Sequence, residues 1–188
     1  PEDKVEVKKF AEETMSIYVP IASRLGIYRL KTELEDTAFR YLDSESFQSI
    51  SRQIAETNER NRLEIEKVVK DLRKFLYDRG VEAAVLGRVK AVYSIHRKLQ
   101  LKRMEDVTQL HDFFAIRVIL PSGEGLERLY GVLGLIHSEW QPVSSRFKDY
   151  VAVPKQNGYR RLHTVVMGLL PDGMRPVEIQ IRDEEMNH

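Results

Sequence analysis

VEIQIR, residues 177–182, decides how this chain is built. A strand sends alternate side chains to opposite faces, so Val177, Ile179 and Ile181 share a face that can be buried. Glu178, Gln180 and Arg182 share the other. On this pattern alone the polar face has two readings. It can be solvated surface, or it can hold a carboxylate rigidly enough to bind Mg²⁺ or take a proton from a sugar hydroxyl. Earlier in the chain, FFAIRVIL (113–120) is apolar throughout except for Arg117, as expected of a strand covered on both faces. Further strands are expected at 81–86, 150–153 and 162–169, with Pro/Gly turns at 154–158 and 171–173.

The first half of the chain keeps a helical period. Residues 5–19 are charged and periodic, Pro20 interrupts them, and Gly26 makes a second break. A helix resumes over 32–42 with Leu34, Ala38 and Phe39 along one side. Ile65, Val68, Val69, Leu72, Phe75 and Leu76 then mark one face of a longer helix, which Gly80 is expected to stop. Helices at 91–103 and 126–138 alternate with the first strands. The expected fold is α+β: an all-helical segment, then a mixed sheet of about five strands with helices packed on it.

Composition narrows the function. The 188 residues amount to one ordinary domain with room for a helical appendage. With 30 Lys and Arg against 29 Asp and Glu, the net charge of +1 gives no general pull toward nucleic acid, so any useful field must be local. The absence of cysteine excludes a disulfide scaffold, a thiol nucleophile and a Cys-ligated zinc. No apolar run approaches the roughly 20 residues of a membrane span, and the N-terminus resembles neither a signal nor a transit peptide. A soluble, cytoplasmic protein is expected.

One local concentration of charge stands out. Residues 87–103 carry six Lys and Arg and no carboxylate. On a helical wheel Lys90, Ser94 and Lys98 form a column with Arg97 beside it, opposite Val92, Ile95 and Leu99. A glycine turn at Gly87 leading into a helix N-terminus would add unpaired backbone N–H groups that favour phosphate. The same pattern also describes a plain solvated basic face. No P-loop motif is present. A second stretch, RFKDY (146–150) followed by PKQNGY (154–159), mixes cations with aromatics and suits a nucleotide, or an ordinary surface turn. His111-Asp112 does not make a metal phosphohydrolase, because that chemistry needs more His and Asp ligands than five histidines supply here.

Taken together, these segments resemble the synthetase domain of the RelA/SpoT family, the (p)ppGpp synthetases of the stringent response. The matching stretches are GRVKAVYSIHRKL (87–99), DFFAIRVIL (112–120), RFKDYVAVPKQNGYRRLHT (146–164) and VEIQIRDEEM (177–186), in the family's order. ETMSIYVPIASRLGIYRLKTELEDTAFRYL (13–42) resembles the end of the family's hydrolase domain. The resemblance implies a helical segment over 1–45 and a nucleotidyltransferase-like synthetase domain over 46–188, cut from a longer bifunctional-type enzyme. It implies transfer of the β,γ-pyrophosphate of ATP to the 3′-hydroxyl of GDP or GTP, with release of AMP and Mg²⁺ as cofactor.

Residue by residue, the resemblance implies that Arg88 and Arg117 sandwich adenine while Lys90, Ser94 and Lys98 grip the ATP phosphates. Asp112 and Glu178 are implied as the metal-binding acids, with Glu178 as general base. Arg146 and Lys148 belong to the RxKD variant with Asp149. Tyr159 is implied to stack on guanine, with Lys155, Asn157, His163 and Gln180 around the acceptor. Strict alternation puts Asp112 and Arg117 on opposite faces, so Asp112 is expected ahead of the regular pairing. Arg160-Arg161 stands where the family usually has Gln-Ser, Asp183 where it has Thr, Asn187 where His is common, and His96 where an aromatic is common. For the full-length protein the resemblance implies ribosome and tRNA as partners through regions outside this chain, and no membrane. The alternative reading is a catalytically silent nucleotide-binding regulatory module. A template-free RNA nucleotidyltransferase is disfavoured by the lack of an Asp-x-Asp pair after a Gly-Ser turn.

Overall fold

The alternation at 177–182 becomes a strand whose apolar residues are sealed from water. A computed structural model describes residues 2–88, 90–107, 110, 114–154 and 160–187. Its one sheet is built from β1 (Ala84–Gly87), β2 (Ala115–Leu120), β3 (Gln141–Pro142), β4 (Lys148–Asp149), β5 (Leu162–Met167) and β6 (Val177–Asp183). The order is β1-β2-β6-β5-β3, with β4 also beside β5, so the sheet has six strands where about five were expected. β2 and β6 run parallel, and every other pairing is antiparallel. The 115–120 run, apolar except for Arg117, is thus an inner strand, as its composition requires.

The chain divides into two units, Arg60–Val89 with His111–His188, and Pro1–Glu59 with Lys90–Leu110. The sheet belongs to the first of these. Helix α4 (Ser44–Tyr77) begins in one unit and ends in the other. Its last turns bring Val68, Leu72 and Leu76 to the sheet's core, where Leu129, Val132 and Ile136 arrive from α6 (Leu126–Glu139). Both sets keep helical spacing. They share this core with Ile116, Val118 and Leu120 of β2, Leu162 and Val166 of β5, and Val177, Ile179 and Ile181 of β6. Each such side chain contributes about 1.5–3 kcal/mol by leaving water.

Gly80 stops α4 as expected. It takes a φ of +76°, and the Val81 N–H closes back on the Leu76 carbonyl at 3.0 Å, which is how glycine terminates a helix. Gly87 has a different role from the turn expected of it. It ends β1, and a Cβ there would lie 3.1 Å from Ile65 Cγ2, so its smallness serves close approach of backbone to helix.

The other unit is helical: α1 (Glu2–Glu13), α2 (Val19–Arg24), α3 (Tyr28–Leu42), the start of α4, and α5 (Val92–Lys102). Pro20 does not break the first helix. The chain passes through a π-helical stretch, Thr14–Tyr18, and Pro20 enters α2 in its first turn. Proline lacks the N–H that a continuous α-helix would require, and the wider turn accommodates it. Phe39 of α3 packs at ring-centroid distances of 5.4 Å on Tyr93 and 4.5 Å on His96 of α5. Residues 150–153, expected as a strand, form a turn instead. Asp149 Oδ1 accepts from the N–H groups of Val151 and Ala152 at 2.9 and 2.8 Å, and a carboxylate that caps its own following backbone favours a turn over a ladder.

Candidate active site

On the polar face of β6, cross-strand register fixes the neighbours. Glu178 pairs with Ala115 of β2 and Val165 of β5. One step along that face, Arg117, Gln180, His163 and Lys148 form a single row across β2, β6, β5 and β4. Side chains in register share a face, so four of the expected site residues line up beside Glu178. This face is not solvated: Gln180 is 0% exposed and Arg182 is 3% exposed.

Arg88 joins the group from the end of β1. Its N–H donates to the Ala115 carbonyl at 2.8 Å, extending the pairing by one residue. Its guanidinium Nη1 then reaches Glu178 Oε1 at 3.3 Å. The same oxygen accepts from Gln180 Nε2 at 2.9 Å, and Gln180 Oε1 accepts from Arg161 Nη1 at 2.8 Å. Glu178 is thus a carboxylate on a rigid strand, held by a cation and an amide and 13% exposed in its side chain. His163 stands edge-on to Tyr150, with ring centroids 5.2 Å apart. Arg146 lies in the short 3-10 turn Ser144–Arg146, just ahead of Lys148 and Asp149 of β4.

Lys90, Ser94 and Lys98 fall in the helical unit. Ile95 and Leu99 are buried and Ser94 is exposed, as the wheel requires. Two details differ. Lys90 precedes the extended N-cap Ala91, so it lies outside the helix and its place in the column does not follow from helical geometry. The first N–H groups of α5 are also occupied: Asp36 of α3 accepts from Val92 at 3.3 Å and from Tyr93 at 2.9 Å. The helix end expected to receive phosphate is therefore capped by a carboxylate of the chain itself. Asp112, Lys155, Asn157 and Tyr159 lie outside the described residues.

Sequence reasoning missed Asp36, Tyr130 and the contact of Arg161. Asp36 is separated from Val92 by 56 positions, and no local pattern links them. Tyr130 hydrogen-bonds Asp149 through the fold of α6 onto the sheet edge. Among the described residues no group of three or more His, Cys, Asp or Glu side chains could hold a metal.

A family model described as a region found in RelA / SpoT proteins matches residues 87–188. The chain belongs to the RelA/SpoT family. The match takes in Arg88, both strands that flank Glu178, and the whole polar row. A GTP pyrophosphokinase of Myxococcus xanthus is 43% identical over 183 residues, covering 95% of this chain and 23% of that protein. A probable guanosine-3′,5′-bis(diphosphate) 3′-pyrophosphohydrolase of Synechocystis is also 43% identical, over 188 residues, covering 96% of this chain and 23% of its own length. The chain thus spans about a quarter of these RelA/SpoT relatives. Among solved structures, small alarmone synthetase 1 of Bacillus subtilis bound to its product pppGpp superposes with a TM-score of 0.55 at 26% identity, covering 72% of this chain and 76% of that one. The α+β fold expected from the sequence is the fold of those synthetases.

Proposed function

We propose that this chain is the synthetase region of a RelA/SpoT-family enzyme and transfers the β,γ-pyrophosphate of ATP to the 3′-hydroxyl of GDP or GTP. The observation that carries the reading is the held carboxylate of Glu178 within a stretch that matches the family throughout. In this reading the 3′-oxygen attacks the β-phosphorus of ATP, the bond from that phosphorus to the α,β-bridging oxygen breaks, and AMP leaves. Glu178 receives the hydroxyl proton. A sugar hydroxyl is a poor nucleophile at neutral pH, so a positioned base supplies much of the acceleration, and fixed cations spread the phosphoryl charge.

Arg146 and Lys148 supply positive charge from the segment around β4. Arg88 and Arg117 take adenine between them, and Lys90, Ser94 and Lys98 take the phosphates. Tyr159 stacks on guanine, with Lys155, Asn157 and His163 toward the acceptor. Gln180, expected among them, is sealed from water with both amide ends bonded within the chain, so it serves Glu178 rather than the nucleotide. Asp112 and Glu178 would hold Mg²⁺. A pair of carboxylates completed by substrate phosphates is a donor set that suits this hard cation, and among the described residues no cluster of three or more ligands forms an all-protein cage. When bound, the ion neutralises phosphate oxygens. Residues 1–45 are read as the end of a hydrolase region. Ribosome and tRNA contacts are assigned to the length of the relatives that this chain does not span. No helix among the described residues is long and apolar enough to cross a membrane, in keeping with action in the cytoplasm.

The test is product analysis. The purified chain with ATP, GDP and Mg²⁺ is expected to form AMP and ppGpp in equal amounts, and neither without the metal. Nucleotide binding without transfer would favour the silent regulatory module instead.

A further inference from the structure

Gln180 is fully buried on β6, two residues from Glu178. A primary amide sealed from water must satisfy two chemically opposite ends. Its oxygen accepts from Arg161 Nη1 at 2.8 Å, and its nitrogen donates to Glu178 Oε1 at 2.9 Å. A guanidinium only donates hydrogen bonds, so Arg161 dictates which end of the amide faces it. With the amide reversed, an NH₂ would meet the guanidinium and a carbonyl oxygen would meet the carboxylate. Both contacts would be repulsive, in surroundings where a lost hydrogen bond is costly. Arg161 is itself 6% exposed, and its carbonyl accepts from the Tyr150 N–H at 3.0 Å, so its backbone is anchored just ahead of β5.

We propose that Arg161 is a positioning residue for pyrophosphate transfer: it locks the Gln180 amide so that the NH₂ group holds one oxygen of Glu178. In this role Arg161 acts through Gln180. The proposal rests on the reading of Glu178 as the base. It also separates the hold of Gln180 on that carboxylate from that of Arg88. Arg88 reaches Oε1 at 3.3 Å and is assigned to adenine, so ATP draws it away. The Arg161–Gln180 hold needs no nucleotide and stays in place through the reaction.

Arg161→Met is expected to lower kcat about ten-fold, the equivalent of one charge-assisted hydrogen bond, with the acceptor KM changed by less than about three-fold. Arg161→Lys, which keeps a charged donor, should recover most of the loss. In a Glu178→Gln background Arg161→Met should cost nothing further, since its effect passes through the carboxylate. A second readout needs no turnover. In ¹⁵N-labelled wild-type chain the Gln180 NH₂ protons should exchange slowly, and in Arg161→Met they should exchange fast while the backbone amides of Leu162 and Ile181 stay protected. Free exchange of that NH₂ in the wild type overturns the proposal. So does a loss that appears only in the acceptor KM, or one that persists undiminished in the Glu178→Gln background. If Glu178→Gln alone keeps full activity, the base assignment falls, whereas the exchange measurement still decides whether Arg161 holds Gln180.

Discussion

The Tyr130 hydroxyl donates to Asp149 Oδ2 at 2.7 Å, tying α6 to the turn that leaves β4. With Oδ1 occupied by two backbone N–H groups, Asp149 is a turn-capping carboxylate. Burial pushes its carboxyl up, but the hydrogen bonds from Ala152, Tyr130 and Val151 outweigh that and leave it below its ordinary value. A carboxyl held low in the folded state adds stability above its unfolded pKa and loses it as pH falls through the folded value. Tyr130→Phe removes one donor, so its acid unfolding midpoint should lie at higher pH than that of the wild type. Far-UV circular dichroism along an acid titration measures this, and coincident curves would contradict the capping role.

Glu178→Gln keeps the shape of the side chain and removes its basicity. Synthesis should slow by at least roughly 100-fold, the lower end of what a positioned base contributes, while nucleotide affinities change far less. Single-turnover assays with saturating ATP and GDP would show it. A variant within a few-fold of wild type would move the base to Asp112, since Asp149 is committed to its turn.

Tyr159→Ala should weaken GDP binding while leaving ATP binding nearly intact. Base–aromatic stacking is worth on the order of 1–3 kcal/mol, or about 5- to 150-fold in affinity. Tyr159→Phe should retain most of it, because the ring does the stacking. Equal calorimetric affinities of wild type and the Ala variant would refute the assignment.

Asp36→Ala uncaps α5 and should cost about 1 kcal/mol of stability, within the usual range for an N-terminal cap. Asp36→Asn can still accept one hydrogen bond and should cost less. Urea denaturation of the three proteins ranks them. If Ala and Asn variants were as stable as the wild type, the Val92 and Tyr93 contacts would carry no weight.

His137 lies on the core side, its Nε2 2.7 Å from Thr164 Oγ1. Burial holds it below the ordinary histidine value of 6.5. The unfolded chain therefore takes up a proton that the folded chain resists. This contribution is fully present above about pH 6.5 and shrinks as pH falls below it. His137→Gln should flatten the difference between urea midpoints measured at about pH 7.5 and about pH 5.5. A wild-type difference that the variant reproduces in full would assign the effect elsewhere.

What could be read in advance was whatever depends on period. Val177, Ile179 and Ile181 went to the core because two-residue alternation leaves no other arrangement, and Ile95 and Leu99 because helical spacing does the same. Phe39 found its side of α3 for that reason too. Where one residue answers to another far away in the chain, the pattern is silent. Asp36 takes the N–H groups that looked open to phosphate, and nothing near Asp36 or near Val92 announces it. Pro20 read as an interruption because a one-residue rule cannot see that the preceding turn widens. Whether Gln180 met water or protein was undecidable from VEIQIR, since alternation sorts faces and says nothing of what covers them.

The place of β6 has a consequence for synthesis of the chain. It lies between β2 and β5, yet it is the last of the six strands to leave the ribosome. Until Val177–Asp183 emerges, β1 with β2 and β5 with its neighbours are two separate edges, each with open backbone groups that other nascent chains could pair with. The sheet closes only when the strand bearing Glu178 slots between them, and such non-local, parallel pairing is slow. A translation product truncated before β6 would lack the carboxylate and the sheet alike. Prematurely ended chains should then go to proteolysis or aggregation rather than persist as folded proteins without Glu178.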